Sequence, residues 1–332
     1  MKRFLQAAML FGVLLAGVVV ASQAQGLRSV LGTVLPYAAV AVLLVGVIYR
    51  VAGVWGRAPV PFRIPTSCGQ QKALSWIKPS KLDNPSTTLG VIGRMALEVL
   101  VFRSLFRNVR TQLKPGPKLA YVGGWELWAA AMAFHWSFLL IVLRHMRYFT
   151  EPVAGFATML AALDGFFEIG VPTLYVTNVL IVAGLGYLLL RRVFDPQLRM
   201  ISLAADFFPL LLLLSIVVTG GLMRYFGHTD VASIKELAIG LITFHPVVPA
   251  GIGSLFFVHL TLVSVLLAYL PFSKLMHMPG VFLSPTRNLA NNNRAERHVN
   301  PWNAPVKVHT YEEWEEEFHD KIEACGLPLD KP

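Results

Sequence analysis

The sequence predicts an integral membrane protein whose spanning part is entirely α-helical. Hydrophobic residues make up 55% of the 332 residues and charged residues only 14%, against about 45–50% and about 25% in soluble domains. Six apolar runs approach or exceed the roughly 17–25 residues that a membrane helix needs. Isolated strands are excluded there, because lipid offers no partner for their backbone groups. We therefore expect six transmembrane helices.

The net charge of +10 does not indicate a nucleic-acid partner, because the basic residues lie in loops beside the apolar runs. In such loops Lys and Arg set the orientation of the chain, with the positive loops on the cytoplasmic side. The two cysteines, Cys68 and Cys325, are too few for an iron–sulfur cluster held by four thiolates. They are also too few for a disulfide framework. We expect two free thiols on a reducing side of the membrane.

The N-terminal part of the chain provides the first two spans. Residues 1–29 contain the apolar run 4–20, which is followed by small residues that resemble a signal-peptidase site. A run of 17 apolar residues is long for a signal core of about 7–15, so we expect a retained helix, with cleavage as the alternative. Residues 30–56 contain the second span, and the arginines that follow it place its far end in the cytoplasm.

Residues 57–124 form the most basic part of the chain and contain Asp83 and Glu98 as their only acids. Apolar residues recur at helical spacing from Val91 to Leu113. Three arginines fall on an adjacent face of the same pattern: Arg103, Arg107 and Arg110. An apolar stripe flanked by arginine predicts a helix that lies on the inner membrane surface. Packing of this helix under a soluble subunit is the alternative, and the two are compatible.

Residues 125–278 contain the remaining four spans. The third span, 125–149, runs outward, because the loop after it is acidic and has no Lys or Arg. The fourth span returns, the fifth runs outward again, and the sixth, 251–278, comes back to the inner side. An apolar stretch between the last two, 237–244, either re-enters the membrane or lies on its surface. Residues 279–332 form a polar cytoplasmic tail, whose acidic and aromatic run at 311–318 is either a docking helix or a solvated segment.

Four histidines fall inside two of these spans. His135 and His145 lie in the third span, and His259 and His277 lie in the sixth. Ionisable residues are costly inside a membrane helix, so each is a candidate functional residue by default. Haem would explain all four, since its iron accepts imidazole on both faces. Each histidine alone could also be a buried, hydrogen-bonded side chain, but packing hardly explains two per antiparallel helix.

The topology predicts which histidines pair. Antiparallel helices share a haem only at matching depth, so His145 pairs with His259 near the outer side and His135 pairs with His277 near the inner side. The ten-position spacing from His135 to His145 covers about 15 Å of helix, whereas the eighteen-position spacing from His259 to His277 would cover about 27 Å. We expect tilt, or a kink or break at Pro271, to absorb the difference.

Few further polar residues are candidates for holding this cofactor. Arg144 and Arg147 flank His145 and could neutralise haem propionates, although anchoring at the membrane surface explains them almost as well. His228 and His245 lie in outer segments and give weaker signals.

The histidine spacing resembles that of a known family. His-x9-His in one helix and His-x17-His in another, within spans from about residue 30 to 280, resemble the membrane gamma subunit of respiratory nitrate reductase. The resemblance implies a five-helix, di-haem cytochrome b that oxidises quinol. This chain differs by an extra N-terminal helix, a long basic inner segment and an acidic C-terminal tail.

The added segments resemble a narrower group, the cytochrome b subunit M of the transmembrane complex associated with dissimilatory sulfite reductase. The matching stretches are 65–70, 94–98, 102–107, 300–302 and the region around 311–314. This resemblance implies two haem b groups, menaquinone or another quinone as substrate, and a cytoplasmic iron–sulfur partner related to heterodisulfide reductase. It also implies further membrane and periplasmic subunits, in the cell inner membrane, with a cytoplasmic C-terminus.

The resemblance further implies a quinone pocket near the outer haem. In the nitrate reductase relative a lysine after the second haem helix is associated with that pocket, but the corresponding outer loop here has no lysine and offers Asp164 and Glu168. We therefore expect a di-haem subunit that exchanges electrons between the quinone pool and an iron–sulfur partner. The alternatives are a membrane transporter or proton-relay protein with intramembrane histidines, and a structural anchor without haem.

Overall fold

The computed structural model describes residues 1–57, 80–116, 118–167, 172–227, 229–291 and 308–330. Up to the fifth span its elements are α1 (Lys2–Gln23), α2 (Gln25–Val54, with π-helical turns at both ends), α3 (Thr88–Val101), α4 (Arg103–Phe106), β1 (Val109–Lys114), β2 (Lys118–Gly123), α5 (Trp125–His145), α6 (Gly155–Asp164), α7 (Val176–Phe194), α8 (Pro196–Ile201) and α9 (Ala204–Tyr225). The rest comprises α10 (Val231–Ile242), α11 (Ser254–Tyr269), α12 (His277–Gly280), α13 (Pro285–Asn288) and α14 (Tyr311–Ala324).

Six of these helices are long and apolar enough to cross a membrane: α1, α2, α5, α7, α9 and α11. The spans of α5 and α11 each include one 3₁₀ turn that follows the helix, Met146–Tyr148 and Leu270–Phe272. The six helices agree in number and position with the six spans predicted from the apolar runs. The core lies where α1, α7, α9 and α11 meet, around Ile181, Leu185, Leu212 and Leu262. Because lipid tails are as apolar as leucine, contact between such helices depends on close packing.

A glycine allows α7 to approach α5 closely. A Cβ atom at Gly184 would lie 2.9 Å from the carbonyl oxygen of Ala130 and 3.1 Å from the backbone nitrogen of Phe134. Both atoms belong to the stretch of α5 that precedes His135. Small residues at such crossings are typical of membrane helix pairs, and this one fixes α5 against the bundle.

The sixth span breaks before His277. The helix α11 ends at Tyr269 and is followed by 3₁₀ turns at Leu270–Phe272 and Lys274–Met276, after which His277 begins α12. The break contains Pro271, which has no backbone N–H to continue the helix. Gly46 of α2 packs against it, since a Cβ there would lie 2.7 Å from the proline Cβ. The assignment of His277 to the sixth helix is therefore wrong, and the break expected at Pro271 is present.

The basic segment also differs from the prediction of one helix through Leu113. The helix α3 ends at Val101, Phe102 takes a left-handed conformation with φ +49°, and β1 and β2 form an antiparallel hairpin. The pairing register places Val109, Leu113, Leu119 and Tyr121 on one face of this hairpin. Gly116, with φ +82°, provides the turn.

Two further parts of the chain were addressed by the sequence prediction. The apolar stretch 237–244 falls largely in α10, and the acidic run 311–318 lies in α14, whose N-terminus is capped by Thr310 and Glu313. Cys325 follows α14 and is an exposed free thiol. Cys68, Glu168, His228 and the stretches 65–70 and 300–302 lie outside the described residues.

Candidate cofactor site

At one end of the bundle the structure brings His135 of α5 against His277 of α12. Their ring centres are 6.0 Å apart and the rings are nearly perpendicular. A metal–imidazole bond of about 2 Å, with about 1 Å from nitrogen to ring centre, places two axial imidazoles about 6 Å apart. The spacing therefore fits one metal atom shared by both rings.

Both rings have the nitrogen chemistry of metal ligands. The Nδ1 atom of His135 lies 2.8 Å from the carbonyl oxygen of Ala131, and that of His277 lies 3.0 Å from the carbonyl oxygen of Lys274. A carbonyl oxygen only accepts, so each Nδ1 carries the proton and each Nε2 retains a lone pair. Metal-binding histidines are held in this way in proteins.

At the other end of the bundle lie the two remaining intramembrane histidines, His145 and His259, which we treat as the second pair. They lie within electrostatic range of each other. The Nδ1 of His145 bonds the carbonyl oxygen of Ile141 at 2.7 Å, and that of His259 lies 2.9 Å from the hydroxyl oxygen of Thr219. The Thr219 hydroxyl donates to the carbonyl oxygen of Ser215 at 2.8 Å, so it accepts from His259. Again Nε2 of both rings is left with a lone pair.

In each of the two pairs one histidine side chain is half-buried and the other is exposed. His135 and His259 are half-buried, whereas His277 and His145 are exposed. Each pair therefore lies at an open side of the bundle, where a flat group can lie between the two rings. His245 shows why pairing matters, since its Nδ1 also bonds a carbonyl oxygen, that of Thr243 at 2.7 Å, yet the ring is exposed on the segment after α10. The hydrogen bond alone does not identify a ligand.

Aromatic residues from α3 and α5 surround His135. The ring centre of Phe134 lies 4.7 Å from that of His135, and the ring centre of Phe102 lies 5.0 Å from it. Indole N–H groups of Trp128 and Trp136 donate to the last carbonyl groups of α3, at 2.8 and 3.0 Å. These bonds fasten the end of α3 to α5 and hold Phe102 in its left-handed conformation. The sequence carries no signal for this contact, because bulky residues rarely adopt that conformation.

A buried carboxylate supports the turn that carries His277. Asp206, at the start of α9, accepts a hydrogen bond from Lys274 Nζ at 2.6 Å, and its other oxygen accepts from the backbone nitrogen of Leu203 at 2.9 Å. Lys274 is the residue whose carbonyl holds His277. Sequence reasoning missed Asp206, because only the fold brings α9 next to this turn.

The arginine and acid candidates at the His145 end are engaged with each other. Arg144 Nη1 lies 3.0 Å from Asp164 Oδ2, and both side chains are buried, at 8% and 6% exposed. Asp164 also accepts from the backbone nitrogen and hydroxyl of Thr177, at 2.9 and 2.6 Å. Asp164 is therefore a counterion and a cap for α7 rather than a free carboxylate facing a quinone. Arg147 lies over the ring of Tyr148, 5.2 Å from its centre.

Comparison with known proteins decides the family. The model of the nitrate reductase gamma subunit family matches residues 93–294, a stretch that contains all four paired histidines. The chain belongs to the nitrate reductase gamma subunit family. The family assignment confirms the resemblance drawn from the histidine spacing. Together with the six candidate spans, it confirms the predicted helical integral membrane class of this gamma-family chain.

Two curated relatives of this family member are similar over most of their length. A protein of Archaeoglobus fulgidus described as an Hdr-like menaquinol oxidoreductase cytochrome b-like subunit is 45% identical over 280 residues, which cover 82% of this chain and 83% of the relative. A protein of Archaeoglobus profundus with the same description is 41% identical over 275 residues, 81% of each chain.

Proposed function

We propose that this chain is the di-haem cytochrome b subunit of a menaquinol-linked electron-transfer complex. The observation that carries the proposal is the two histidine pairs, each with Nδ1 bonded and Nε2 free. His145 and His259 would hold one haem b, and His135 and His277 the other. Both relatives are named cytochrome b-like subunits of Hdr-like menaquinol oxidoreductases. These names support the proposed haem and the proposed menaquinol substrate.

The chain's own residues define how such a site works. Bound haem supplies one-electron chemistry and the protein sets its position. The Nδ1–H bonds fix the orientation of each ring and increase the basicity of Nε2. One continuous helix, α5, carries one ligand of each pair, and its ten-residue spacing separates the two sites by about 15 Å. Electrons would pass from the His145 pair, on the quinol side, to the His135 pair.

The hairpin β1–β2 is our candidate docking surface for a partner. One of its faces exposes the apolar residues Val109, Leu113, Leu119 and Tyr121, and the other carries Arg110, Lys114 and Lys118. A two-stranded hairpin is marginal by itself, and stability requires a packed face or a further strand. The hairpin leads directly into α5 at the His135 end. A partner bound there would lie close to the proposed electron exit.

Our proposal for the partners rests on the resemblance and on the names of the two relatives. We propose a cytoplasmic iron–sulfur subunit related to heterodisulfide reductase, held by the basic segment and the acidic helix α14, together with further membrane and periplasmic subunits. We also propose that the chain lies in the cell inner membrane with a cytoplasmic C-terminus, an orientation that the distribution of positive charge supports. The similarity of the added segments to subunit M supports a place in dissimilatory sulfur metabolism, with sulfite reduction as the linked process.

A pyridine haemochrome assay on the purified chain tests this function directly. We expect two b-type haems per polypeptide, and we expect His245→Ala, which removes a histidine with the same backbone bond but no place in either pair, to retain both. A chain that binds no haem when produced with its partners would overturn the proposal. One haem would leave only one of the pairs as a haem site.

A further inference from the structure

A group of buried and half-buried arginine and tyrosine side chains lies at the His145 end of the bundle. We call it the arginine–tyrosine cluster and define it as Arg144, Asp164, Tyr175, Arg224 and Tyr225. The guanidinium carbon of Arg144 lies 3.8 Å from the ring centre of Tyr175, and that of Arg224 lies 4.1 Å from the same point. Two cations thus share one aromatic ring, which is a favourable cation–π arrangement for each of them.

The charges of this cluster do not balance among the described residues. Asp164 is bonded to Arg144 and to Thr177. Arg224 donates to the neutral carbonyl oxygen of Thr173 at 2.9 Å, and no carboxylate in the described part of the chain forms an ion pair with it. The cluster therefore contains two guanidinium groups and one carboxylate, an excess of one positive charge. A buried charge without a counterion is unfavourable.

Two hydrogen-bond donors of the cluster are also unused. The Nε atoms of Arg144 and Arg224 are buried and have no hydrogen-bond partner among the described residues. Arg144 as a whole is only 7% exposed. Buried donors are nearly always satisfied in proteins, so each such group calls for an explanation. An acceptor that carries negative charge would satisfy both the donors and the excess charge.

The cluster lies directly beside the second histidine pair. Arg144 precedes His145 in α5. On α9, a Cβ atom at Gly220 would lie 3.3 Å from Cε1 of His259, so this glycine faces the imidazole. Arg224 follows Gly220 by four residues and lies on the same face of α9, about 6 Å further along the helix. Arg224 therefore lies about one turn beyond the level of His259, and Arg144 lies at the level of His145.

We infer that the arginine–tyrosine cluster binds a carboxylate, the propionate of the haem held by His145 and His259. This inference rests on the proposed function. Guanidinium groups hold carboxylates through charge-assisted hydrogen bonds, and Arg224 supplies the charge that Asp164 does not neutralise. Arg224 acts on the iron through the propionate and is a positioning residue. Its charge favours the reduced state of this haem, so the two haems differ in midpoint potential.

The variant Arg224→Gln tests this inference. At an effective dielectric constant of about 20, one charge at roughly 10 Å from the iron changes the ratio of oxidised to reduced haem by about tenfold at fixed potential. We expect a spectroelectrochemical titration of the purified full-length chain to show this shift for the haem of His145 and His259, towards the oxidised state, with the other haem unchanged. Arg224→Lys, which keeps the charge, should restore most of the wild-type potential. Arg199→Gln, on α8, is the control for loss of a positive charge elsewhere.

A second measurement needs no mutation. Methyl esterification removes the negative charge of the propionates. Reconstitution of the wild-type chain with such haem should therefore raise the potential of the haem of His145 and His259, a shift opposite in sign to that of Arg224→Gln. Two retained haems whose potentials do not change in Arg224→Gln or with the ester would overturn the inference and leave the proposed function intact. An equal shift of the midpoint potentials of both haems in Arg224→Gln would overturn it too, since it would indicate a general loss of structure. A chain without haem would instead contradict the proposed function itself.

Discussion

The imidazole rings of His135 and His277 lie 6.0 Å apart and nearly perpendicular, although His277 lies beyond the end of the sixth helix. The break at Pro271 brings it there. A straight continuation of α11 would have carried His277 past the depth of His135, because eighteen residues of helix cover about 27 Å. Ser273, whose backbone is extended between the two 3₁₀ turns, changes the direction of the chain before His277.

The two pairs predict which haem each histidine retains. Because both axial ligands hold one iron, His135→Ala and His277→Ala should each remove the same haem, and His145→Ala and His259→Ala should each remove the other. Haem content and reduced-minus-oxidised spectra of the four variants measure this. If His135→Ala and His259→Ala lost the same spectral component, the pairing would be wrong.

The hydroxyl of Thr219 should control the haem at His259. In Thr219→Val the Nδ1–H of His259 loses its acceptor, while the shape of the side chain is kept. Loss of such a supporting hydrogen bond typically weakens metal affinity by about 10–100-fold. Titration of the purified chain with a haem-binding competitor measures the affinity. Thr219→Ser keeps the hydroxyl and should bind haem as the wild type does; an equal loss in both variants would contradict this role.

Asp206 should support the haem at the opposite end. Asp206→Asn removes the charge that holds Lys274, the residue whose carbonyl oxygen accepts from His277. We expect a lower content or a changed spectrum of the haem of His135 and His277, with the other haem unaffected. Lys274→Gln should have a similar effect, and the double variant should be little worse than either single one, because the two residues act as a unit. Additive effects would argue against this coupling.

Gly184 and Gly186 form a matched pair of variants on α7. An added methyl at Gly184 would meet the backbone of α5 at 2.9 Å, whereas one at Gly186 would meet nothing within 4 Å. Gly184→Ala should therefore destabilise the chain by about 1–3 kcal/mol through overpacking. Thermal unfolding in detergent compares the variants, and Gly186→Ala should unfold at or above the wild-type temperature. Equal stability of both would show that α5 and α7 separate easily.

The attachment of α4 should depend on pH. Arg103 and Arg107 both form ion pairs with Asp83, and their hydrogen bonds hold the pKa of Asp83 well below its usual value. A lowered pKa means that this stabilisation is present above the unfolded value of about 3.9 and is lost as pH falls below it. The protection of the α4 amides against hydrogen exchange, measured relative to the intrinsic rate at each pH, should be constant from pH 7 to about 5 and fall below about 4. In Asp83→Asn the protection of the α4 amides should be lower than in the wild type from pH 7 to about 4.

The membrane architecture and the contact between His135 and His277 could be predicted because their signals are local and periodic. The length of each apolar run predicts a span, and the charge of the flanking loops predicts its direction. The depth of each histidine then predicts which histidine it faces. The hairpin was missed because the apolar residues around Val109 and Leu113 fit a helical repeat in isolation. The shared apolar face becomes evident only when β1 and β2 are paired across the Gly116 turn.

The residues that support the site could not be predicted in the same way. Thr219, Asp206 and Arg224 are common polar residues near helix ends or within a span, where surface anchoring explains them equally well. Their roles depend on which helices meet, so only the fold reveals them. For the same reason Asp164, a reasonable quinone candidate in an outer loop, proved to be the counterion of Arg144.

The hairpin has a practical consequence for handling the chain without its complex. Within the described part of the chain each strand has one unpaired edge, and unpaired edges are templates for pairing with further strands. The exposed apolar face around Leu113 and Tyr121 adds to this tendency. Copies purified alone should therefore self-associate through their water-exposed ends, with the membrane bundle intact. Oligomers seen by light scattering in detergent would then reflect strand pairing, and a Lys or Pro introduced at the edge of β2 should disperse them.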